Sequence, residues 1–516
     1  MKKFRYGRFL TGGLVGAWFC ALVAMPVLGP DAFDTAFESI QESEVTQHLE
    51  FLASPDMEGR DTPSVGLLKA GEYLAEQFRE SGLEPLEADG GYTWPFDVDS
   101  FVPREEACML TLVTGQGEQT FVLGEDFAPL RGMDGLGEGK VAFVGFGISS
   151  SKDKYNDLRG LSLKGTVAVI LEGEPRHPKR FGGEEVTDFS DIYSKIERLS
   201  DRGVTGVLVA RRNDAEGIFG FRHGWARWVG ERSPQHRPPE LPVHEIRLSV
   251  ASVLVGQDLE KIAAELDESL KPQSFVLDDH HVVMESASGP GRVTVNNIIG
   301  VIPGTDPGLQ DEWVVVGAHY DHVGVDERGR IGFGADDNAS GTAAVLEMAE
   351  ALAMAETSRS IMVCAFAGEE RGLVGSRALC RNLPVDRDQV VAMVNLDMVG
   401  RGDRDEVTAL GSRQNPGMKK ILDRARKLRK TGIKKVITGK AEDLFLRSDQ
   451  FSFHEIGIPA VFFFEDPEIN RNTDYHTWRD TVDEVDMAKV TQTARLAFNA
   501  VWILATDEKR QPPPRH

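Results

Sequence analysis

Histidines and carboxylates follow apolar, strand-like segments at several points in the second half of the chain. His319 and Asp321 stand in "AHYDH", directly after the run "WVVVGA". Glu369 and Glu370 follow "IMVCAFAG", and Asp397 follows "VVAMVNL". Carboxyl ends of parallel strands meet at one edge of a sheet, where α/β folds bind their ligands. Solvated charges have no reason to recur at three strand ends, so the pattern predicts one common site.

Two further polar segments belong to the same pattern. Asp336 and Asp337 lie in "GADDNASG", which opens a predicted helix, and Tyr475, His476 and Asp480 lie in "DYHTWRDT", after the run "IPAVFFF". Taken singly, each of these elements is more often a solvated or helix-capping group. Together they supply nitrogen and oxygen donors without cysteine, which suits zinc, cobalt or manganese rather than an iron–sulfur cluster or a structural zinc site.

The elements that must position these residues are those of an α/β protein. From about residue 293, strand-like runs alternate with helical ones, which predicts a three-layer fold with a mixed, mostly parallel sheet between helices. Before it, residues 45–86 have the apolar spacing of two helices, with Gly82 as a stop for the second. Short glycine-punctuated strands and one helix between residues 100 and 212 predict a smaller, β-rich α/β unit. The polar, proline-bearing stretch 221–242 is predicted to be a surface loop.

Length and charge limit the possible classes of protein. A chain of 516 residues exceeds the roughly 250–300 at which single cores stop growing, so at least two globular units are expected. With 81 acidic against 58 basic residues, the formal charge is -23. This balance disfavours nucleic acid and anionic membrane surfaces and favours cationic partners or metal ions, although a merely soluble acidic surface explains it equally well.

The N-terminus predicts export. The basic segment "MKKFRYGR" precedes the apolar run "FLTGGLVGAWFCALVA", and cleavage between Ala24 and Pro30 would leave residues 1–29 as a signal peptide. Because the run to Gly29 approaches the roughly 20 residues that span a bilayer, an uncleaved anchor remains the alternative. An odd number of cysteines, Cys108, Cys364 and Cys380, remains after this segment, which gives no disulfide framework.

Six motifs in order resemble one family. They closely resemble the M28 family of dizinc metallopeptidases, its aminopeptidase branch especially: "AHYDHVG", "GADDNASGTAAVLEMAEAL", "FAGEERGLVGSRAL", "VNLDMVG", "SDQFSFHEIGIPAVFF" and "YHTWRDT". The resemblance covers nearly all of the chain beyond the signal and implies a zinc aminopeptidase fold. It implies the following division: 36–100 and 287–508 as two segments of the catalytic domain, 101–286 as an inserted protease-associated domain that is matched only loosely, and 509–516 as a disordered tail.

The resemblance also implies the metal ligands. It assigns His319 and Asp397 to one zinc ion and Glu370 and His476 to the other. Asp337 would bridge the two ions, through a cis peptide bond to Asn338. Cobalt and manganese are possible substitutes for zinc at such ligands.

Catalytic and supporting roles follow from the same resemblance. Glu369 would be the general base that takes a proton from the water between the metals. Asp321 would hold His319 in place and Asp480 would hold His476, since such partners fix the tautomer of a ligating histidine. Tyr475 stands where some members use a tyrosine to stabilise the tetrahedral intermediate. The resemblance assigns no role to the neighbouring His322, for which a structural role is expected.

The function so implied is that of an exported dizinc aminopeptidase acting on peptides with a free N-terminus, with no indication of its oligomeric state. Three alternatives stay open. A glutaminyl cyclase-like enzyme usually holds one zinc ion. A carboxypeptidase would need basic residues to grip a substrate carboxylate, and the sequence does not place Arg371 or Arg401. A binding or receptor protein would use the inserted domain, but no ligand position departs from the family pattern.

Overall fold

A computed structural model describes residues 31–514, except 87–89, 131–132, 182–185, 213–240, 327 and 466–471. The predicted signal segment and most of the predicted surface loop at 221–242 therefore lie outside the described residues. No helix in the described part of the chain is long and apolar enough to cross a bilayer.

The helices and strands that the sequence patterns predict are present in the described structure, together with further elements. The helices are α1 Asp31–Ser39, α2 Glu42–Leu52, α3 Val65–Glu80, α4 Ile192–Ser200, α5 Leu248–Val255, α6 Leu259–Ser269, α7 Gly341–Met354, α8 Val374–Arg381, α9 Pro416–Leu428, α10 Gln450–Glu455 and α11 Met487–Thr506. The strands are β1 Glu84–Pro85, β2 Thr93–Pro103, β3 Met109–Thr114, β4 Gly117–Thr120, β5 Phe127–Pro129, β6 Gly135–Val144, β7 Ser149–Ser150, β8 Tyr155–Asn156, β9 Thr166–Leu171, β10 Gly206–Ala210, β11 Val243–Ile246, β12 Ser274–Ser286, β13 Ser288–Ile302, β14 Trp313–His319, β15 Ser360–Phe366, β16 Val390–Leu396, β17 Glu406–Leu410, β18 Lys435–Ile437 and β19 Ala460–Phe464. Gly82 follows α3 with a φ of 78°, which confirms it as the stop.

The larger sheet has nine strands. Its order is β1-β13-β15-β14-β16-β19-β17-β18, with β2 also paired to β13. Strands β15, β14, β16 and β19 run parallel at its centre, and antiparallel pairs flank them. The chain passes from β14 out to β15 and then back across to β16, so the strand order reverses at β14. Such a reversal is the position at which α/β sheets bind ligands, beyond the carboxyl ends of the strands.

The central strands are buried because helices cover both faces of this sheet. Every residue of β15, β16 and β19 is buried, as is all of β14 except Trp313. Helices α1, α2, α7 and α11 form a core with one face, and α8 and α10 pack against the other. Parallel strands buried on both faces read as continuous apolar runs, which is why the sequence predicts this three-layer arrangement correctly.

A second sheet of eight strands occupies the middle of the chain. Its order is β4-β3-β12-β6-β9-β10-β11-β5, with α5 and α6 in the core on one face and α4 on the other. Between the two sheets, β2 and β13 pair in antiparallel register from Thr93↔Ile298 to Pro103↔Ser288. The chain therefore leaves the nine-stranded sheet at Pro103 and returns to it at Ser288, so that the smaller sheet is an insertion into the larger one.

The segment after α11 lies against the protein, which differs from the disordered tail expected from residue 509. Arg510 Nε donates a hydrogen bond to Glu312 Oε1 at 2.9 Å. Arg359, which is buried, also contacts this segment, since its Nη2 lies 3.3 Å from the carbonyl oxygen of Glu508. These ion-pair and backbone contacts hold residues 508–510, and only residues 515 and 516 of the expected tail lie outside the described chain.

Candidate metal centre

The histidines and carboxylates that the sequence predicts as a site meet at the carboxyl ends of β14, β15 and β16. His319 ends β14, Glu369 and Glu370 follow β15, and Asp397 follows β16. The loop 472–480 and the turn before α7 complete the group with His476 and Asp337. The predicted strand-end arrangement is therefore present in the fold.

One half of the site surrounds His319. Its Nε2 atom lies 3.3 Å from Asp397 Oδ1 and 3.4 Å from Asp337 Oδ1. Potential ligand atoms of His319, Glu369 and Asp397 all lie within 4.8 Å of one another. His319 is buried and Asp397 nearly so, so these groups form a compact, largely dry cluster.

The other half surrounds Glu370. His476 Nε2 lies 2.9 Å from Glu370 Oε2 and 3.1 Å from Asp337 Oδ2. His322 Nδ1 lies 3.0 Å from Glu370 Oε1 and 3.7 Å from Asp337 Oδ2. Asp337 thus belongs to both halves, with Oδ1 facing His319 and Oδ2 facing His476.

The turn that carries Asp337 is held by its side chains and by Asp480. The peptide bond between Asp337 and Asn338 is cis, as the family resemblance leads one to expect. The Asn338 Oδ1 atom accepts hydrogen bonds from the backbone N–H groups of Gly341 and Met398 at 2.9 and 3.2 Å. These bonds tie the turn to the start of α7 and to the segment after β16.

Asp480 differs from its predicted role as a partner of His476. Its two carboxylate oxygens accept hydrogen bonds from the backbone N–H groups of Asp336 and Asp337, each at 3.0 Å. It also pairs with Arg401 Nη2 at 3.2 Å. Within the described residues, it makes no hydrogen bond to His476. The family resemblance implies that partner, whereas the fold directs the carboxylate to the backbone of the Asp337 turn.

Buried atoms of the cluster that lack a hydrogen-bond partner indicate whether a cation fits there. In the described part of the chain, four buried atoms that face one another have no hydrogen-bond partner: His319 Nε2, Asp337 Oδ2, Asp397 Oδ1 and His476 Nε2. Buried polar atoms are normally satisfied, because leaving one unpaired costs about 1–3 kcal/mol. A bound cation would satisfy all four atoms, and two imidazoles with carboxylates are donors that zinc accepts.

The pKa shifts show how strongly this cluster attracts positive charge. Burial alone would lower the pKa of His319, but Asp397 and Glu369 raise it well above its usual value. Burial would raise the pKa of Asp337, yet the neighbouring imidazoles of His319 and His476 hold it well below its usual value. Asp337 therefore favours its ionised form and a cationic neighbour.

Asp321 supports both His319 and Glu369. Its backbone carbonyl lies 3.2 Å from His319 Nδ1, which agrees with its predicted place beside that histidine. One side-chain oxygen accepts a hydrogen bond from the Glu369 backbone N–H at 3.1 Å, and the other accepts one from Thr62 Oγ1 at 3.0 Å. Thr62 Oγ1 also accepts from the Gly368 N–H at 3.1 Å. The segment before α3 therefore fixes the turn after β15.

Arg60 is a supporting residue that the sequence analysis missed. The buried guanidinium donates to the carbonyl oxygens of Tyr320, Phe333 and Gly334 at 2.8, 2.9 and 2.9 Å, and also to that of Leu52. It thereby ties the loop after β14 to the turn that carries Asp337. No strand-end or periodic signal marks such a residue, because three of its four partners are backbone groups 260 to 274 residues away.

An apolar cavity adjoins the cluster. It measures about 340 Å³, and Glu369, Glu370 and His476 form one side of it. Its other walls include apolar and aromatic side chains: Leu373, Met398, Leu444, Phe462, Phe464 and Tyr475. The Tyr475 ring stacks on the His476 ring, with 3.8 Å between centroids. Burial raises the pKa of Tyr475, so its phenol stays protonated at neutral pH.

Comparison with known proteins identifies the segment that contains these residues. Residues 297–501 match the model of Peptidase family M28. A probable leucine aminopeptidase of Arthroderma benhamiae is 31% identical over 207 residues, which cover 39% of this chain and 56% of that protein. A probable leucine aminopeptidase of Arthroderma otae is 32% identical over 212 residues, with coverages of 39% and 56%. The chain thus spans little more than half the length of these relatives.

Two solved structures are also similar. An aminopeptidase from Aneurinibacillus sp. strain AM-1 has a TM-score of 0.48 and 20% identity, covering 93% of this chain and 97% of its own. A zinc aminopeptidase from Bacillus subtilis has a TM-score of 0.46 and 19% identity, with coverages of 92% and 97%. The family match spans β14, β15, β16, β19 and every residue of the metal cluster, so this segment is similar to peptidase family M28.

Proposed function

We propose that the protein is an exported dinuclear zinc aminopeptidase that releases N-terminal residues from peptides. Two half-sites that share Asp337 beside an apolar cavity carry this proposal. The match of residues 297–501 to peptidase family M28 and relatives named leucine aminopeptidase support it. Export would depend on residues 1–29, and the insertion between Pro103 and Ser288 would be the protease-associated domain that the sequence resembles.

The cluster offers each of two ions a nitrogen ligand and its own carboxylate. His319 and Asp397 would hold one zinc ion, His476 and Glu370 the other, and Asp337 would reach both with its two oxygens. Bound zinc would supply positive charge that polarises the scissile carbonyl and makes a water molecule nucleophilic near neutral pH.

Glu369 is suited to move protons during hydrolysis. Among the described residues, its carboxylate makes no hydrogen bond or ion pair, in contrast with that of Glu370, which has two imidazole contacts. Burial raises the pKa of Glu369 well above its usual value, although His319 opposes the shift. A carboxylate that has no other partner at this position accepts a proton from the attacking water and returns it to the leaving amine.

The surroundings of the cluster favour a free amino terminus as the bound end. The carboxylates of Glu369 and Glu370 line the cavity where it meets the metal ligands, so an ammonium group entering there meets negative charge. The first side chain of the peptide then lies against apolar walls that include Leu444 and Phe464. The Tyr475 phenol, which stays protonated, donates a hydrogen bond to the carbonyl oxygen as charge develops on it.

Contacts of two arginines argue against the carboxypeptidase alternative. Arg371 lies 3.2 Å from Asp61, and Arg401 lies 2.9 Å from Asp474. Both guanidinium groups therefore already have carboxylate partners. The arginines that line the cavity are Arg377 and Arg447, so the experiment below compares peptides with a free amino end and peptides with a free carboxyl end. A cyclase with one zinc ion is disfavoured because both half-sites hold a histidine and a carboxylate.

Hydrolysis of aminoacyl-p-nitroanilides tests the proposal. We expect the zinc-loaded protein to release p-nitroaniline and to lose this activity on treatment with a chelator, with recovery after zinc is restored. N-acetylated aminoacyl-p-nitroanilides should not be cleaved, because acetylation removes the ammonium group. A folded, zinc-loaded protein that is inactive on all free-amine substrates, or that prefers N-acetylated peptides with a free carboxyl end, would refute the aminopeptidase assignment.

A further inference from the structure

His322 is a buried histidine of the cluster for which the family resemblance supplies no role. We propose that His322 is a positioning residue that holds Glu370 through one carboxylate oxygen and leaves the other oxygen free for a metal ion. This inference deepens the proposed function and rests on it, since it concerns how the chain prepares one of the two half-sites.

The two oxygens of Glu370 have different partners. His322 Nδ1 lies 3.0 Å from Oε1, whereas His476 Nε2 lies 2.9 Å from Oε2. The Oε2 atom therefore lies against His476, which also contacts Asp337 Oδ2 at 3.1 Å, and Oε1 lies against His322. A hydrogen bond on Oε1 would keep the carboxylate from rotating and presenting both oxygens to one ion.

The protonation of His322 follows from its partner. An ionised carboxylate only accepts hydrogen bonds, so Nδ1 must carry the proton that it donates to Oε1. The other ring nitrogen, Nε2, is buried and has no hydrogen-bond partner in the described structure. The ring is thus directed at Glu370 by its only side-chain hydrogen bond among the described residues.

The ring is also held in place by the backbone around it. The His322 N–H donates to the carbonyl oxygen of Arg60 at 3.1 Å. Gly334 has a φ of 60°, and a β-carbon added there would lie 2.5 Å from His322 Cγ. Arg60 Nη2 in turn donates to the Gly334 carbonyl at 2.9 Å. The imidazole therefore packs directly against the Gly334 backbone, at a position that only glycine leaves open.

This arrangement has a consequence for metal affinity. Partners that orient a metal-binding carboxylate or histidine typically change metal affinity by about 10–100-fold. His322 contacts the half-site of Glu370 and His476, and its distance to Asp337 Oδ2 is longer, at 3.7 Å. Its loss should therefore weaken one of the two zinc equivalents and leave the half-site of His319 and Asp397 almost unchanged.

Two amide substitutions form a matched pair for the test. In H322N the side-chain amide nitrogen stands near the position of Nδ1 and can still donate to Glu370 Oε1. In H322Q the amide nitrogen stands near the position of Nε2 and points away from that oxygen. Both variants remain polar and similar in size, so a purely structural role of His322 would affect them alike. H281A, in β12 of the inserted sheet, is a control for histidine loss elsewhere.

Zinc binding is measured by calorimetric titration of the metal-free proteins, and thermal unfolding of each metal-free variant is recorded by circular dichroism. We expect two equivalents in the wild type, H322N and H281A. In H322Q we expect the affinity for one zinc equivalent to fall by about 10–100-fold and the affinity for the other to stay unchanged.

Wild-type affinity for both zinc equivalents in a folded H322Q would overturn the inference while leaving the proposed function intact. Equal weakening in both amide variants would also overturn it. A wild-type protein without tight zinc would instead contradict the proposed function.

Discussion

The two adjacent glutamates after β15 should respond oppositely to the same substitution. E369Q removes a carboxylate that makes no hydrogen bond or ion pair among the described residues, whereas E370Q changes one with imidazole contacts at 2.9 and 3.0 Å. We expect E369Q to retain both zinc ions and to lose turnover, because a general base contributes about 10²–10⁴-fold. This loss corresponds to about 3–5 kcal/mol in the activation free energy.

For E370Q the expected loss is in metal binding. A hydrogen bond to a charged group contributes about 1.5–3 kcal/mol. Replacing the Glu370 carboxylate with a neutral amide weakens its contacts with His476 and His322 and its attraction for a cation. A loss of about 1.5–3 kcal/mol would reduce the affinity for one zinc equivalent by a factor of about 10–150.

The assay combines metal content with kinetics. Each variant is loaded with zinc, dialysed and analysed by mass spectrometry, and kcat is then measured on an aminoacyl-p-nitroanilide. E106Q, which changes an exposed glutamate in the inserted segment, is the control and should match the wild type in both measurements. The reasoning is refuted if E369Q loses zinc, if it retains substantial turnover, or if E370Q binds both equivalents as tightly as the wild type.

Three further predictions concern support, specificity and acid stability. Arg60→Met should lower the free energy of unfolding by about 3 kcal/mol or more, measured by denaturant titration, because at least three buried carbonyl groups lose a charged donor. Leu444→Phe should narrow the cavity and reduce kcat/KM for phenylalanyl p-nitroanilide relative to the alanyl substrate by about tenfold or more, since one methylene in an apolar pocket is worth about 1–3 kcal/mol. If the ratio of the two kcat/KM values stays unchanged, Leu444 does not form the wall of the substrate pocket. Burial lowers the pKa of His244 to about 3. At a pH below the ordinary histidine pKa of about 6.5, His244 of the unfolded chain therefore takes up a proton that the folded chain does not. Stability is then lost as pH falls from about 6.5 toward 3, by up to about 1.4 kcal/mol per pH unit, and H244F should show a shallower decline in Tm over that range.

The parts of the site that directly follow buried strands could be predicted from the sequence. The runs that form β14, β15 and β16 are apolar throughout because helices cover both faces of the sheet. A histidine or carboxylate after such a run therefore stands out, and the parallel arrangement brings His319, Glu370 and Asp397 together. The residue types then indicate a metal site before any distance is known.

The supports of the site could not be predicted in the same way. Arg60 and Thr62 act on groups about 260 and more residues away, through contacts that no periodic pattern encodes. The family resemblance implies Asp480 as the partner of His476, but the Asp480 carboxylate accepts hydrogen bonds from the backbone of Asp336 and Asp337. Such roles depend on the path of loops in space, whereas strand-end positions depend only on the order of the chain.

The pairing of β2 with β13 determines where the inserted sheet could be removed from the chain or replaced. Pro103 and Ser288 are directly opposite partners at the end of this ladder, so the 184 residues between them begin and end at neighbouring points. A short hairpin turn would be enough to close the gap if they were removed. The residues of the metal cluster and the Arg60 and Thr62 contacts all lie outside the removed stretch. The nine-stranded sheet is thus topologically complete without the inserted sheet, which could be exchanged for another module while the connections that bring the cluster together stay the same.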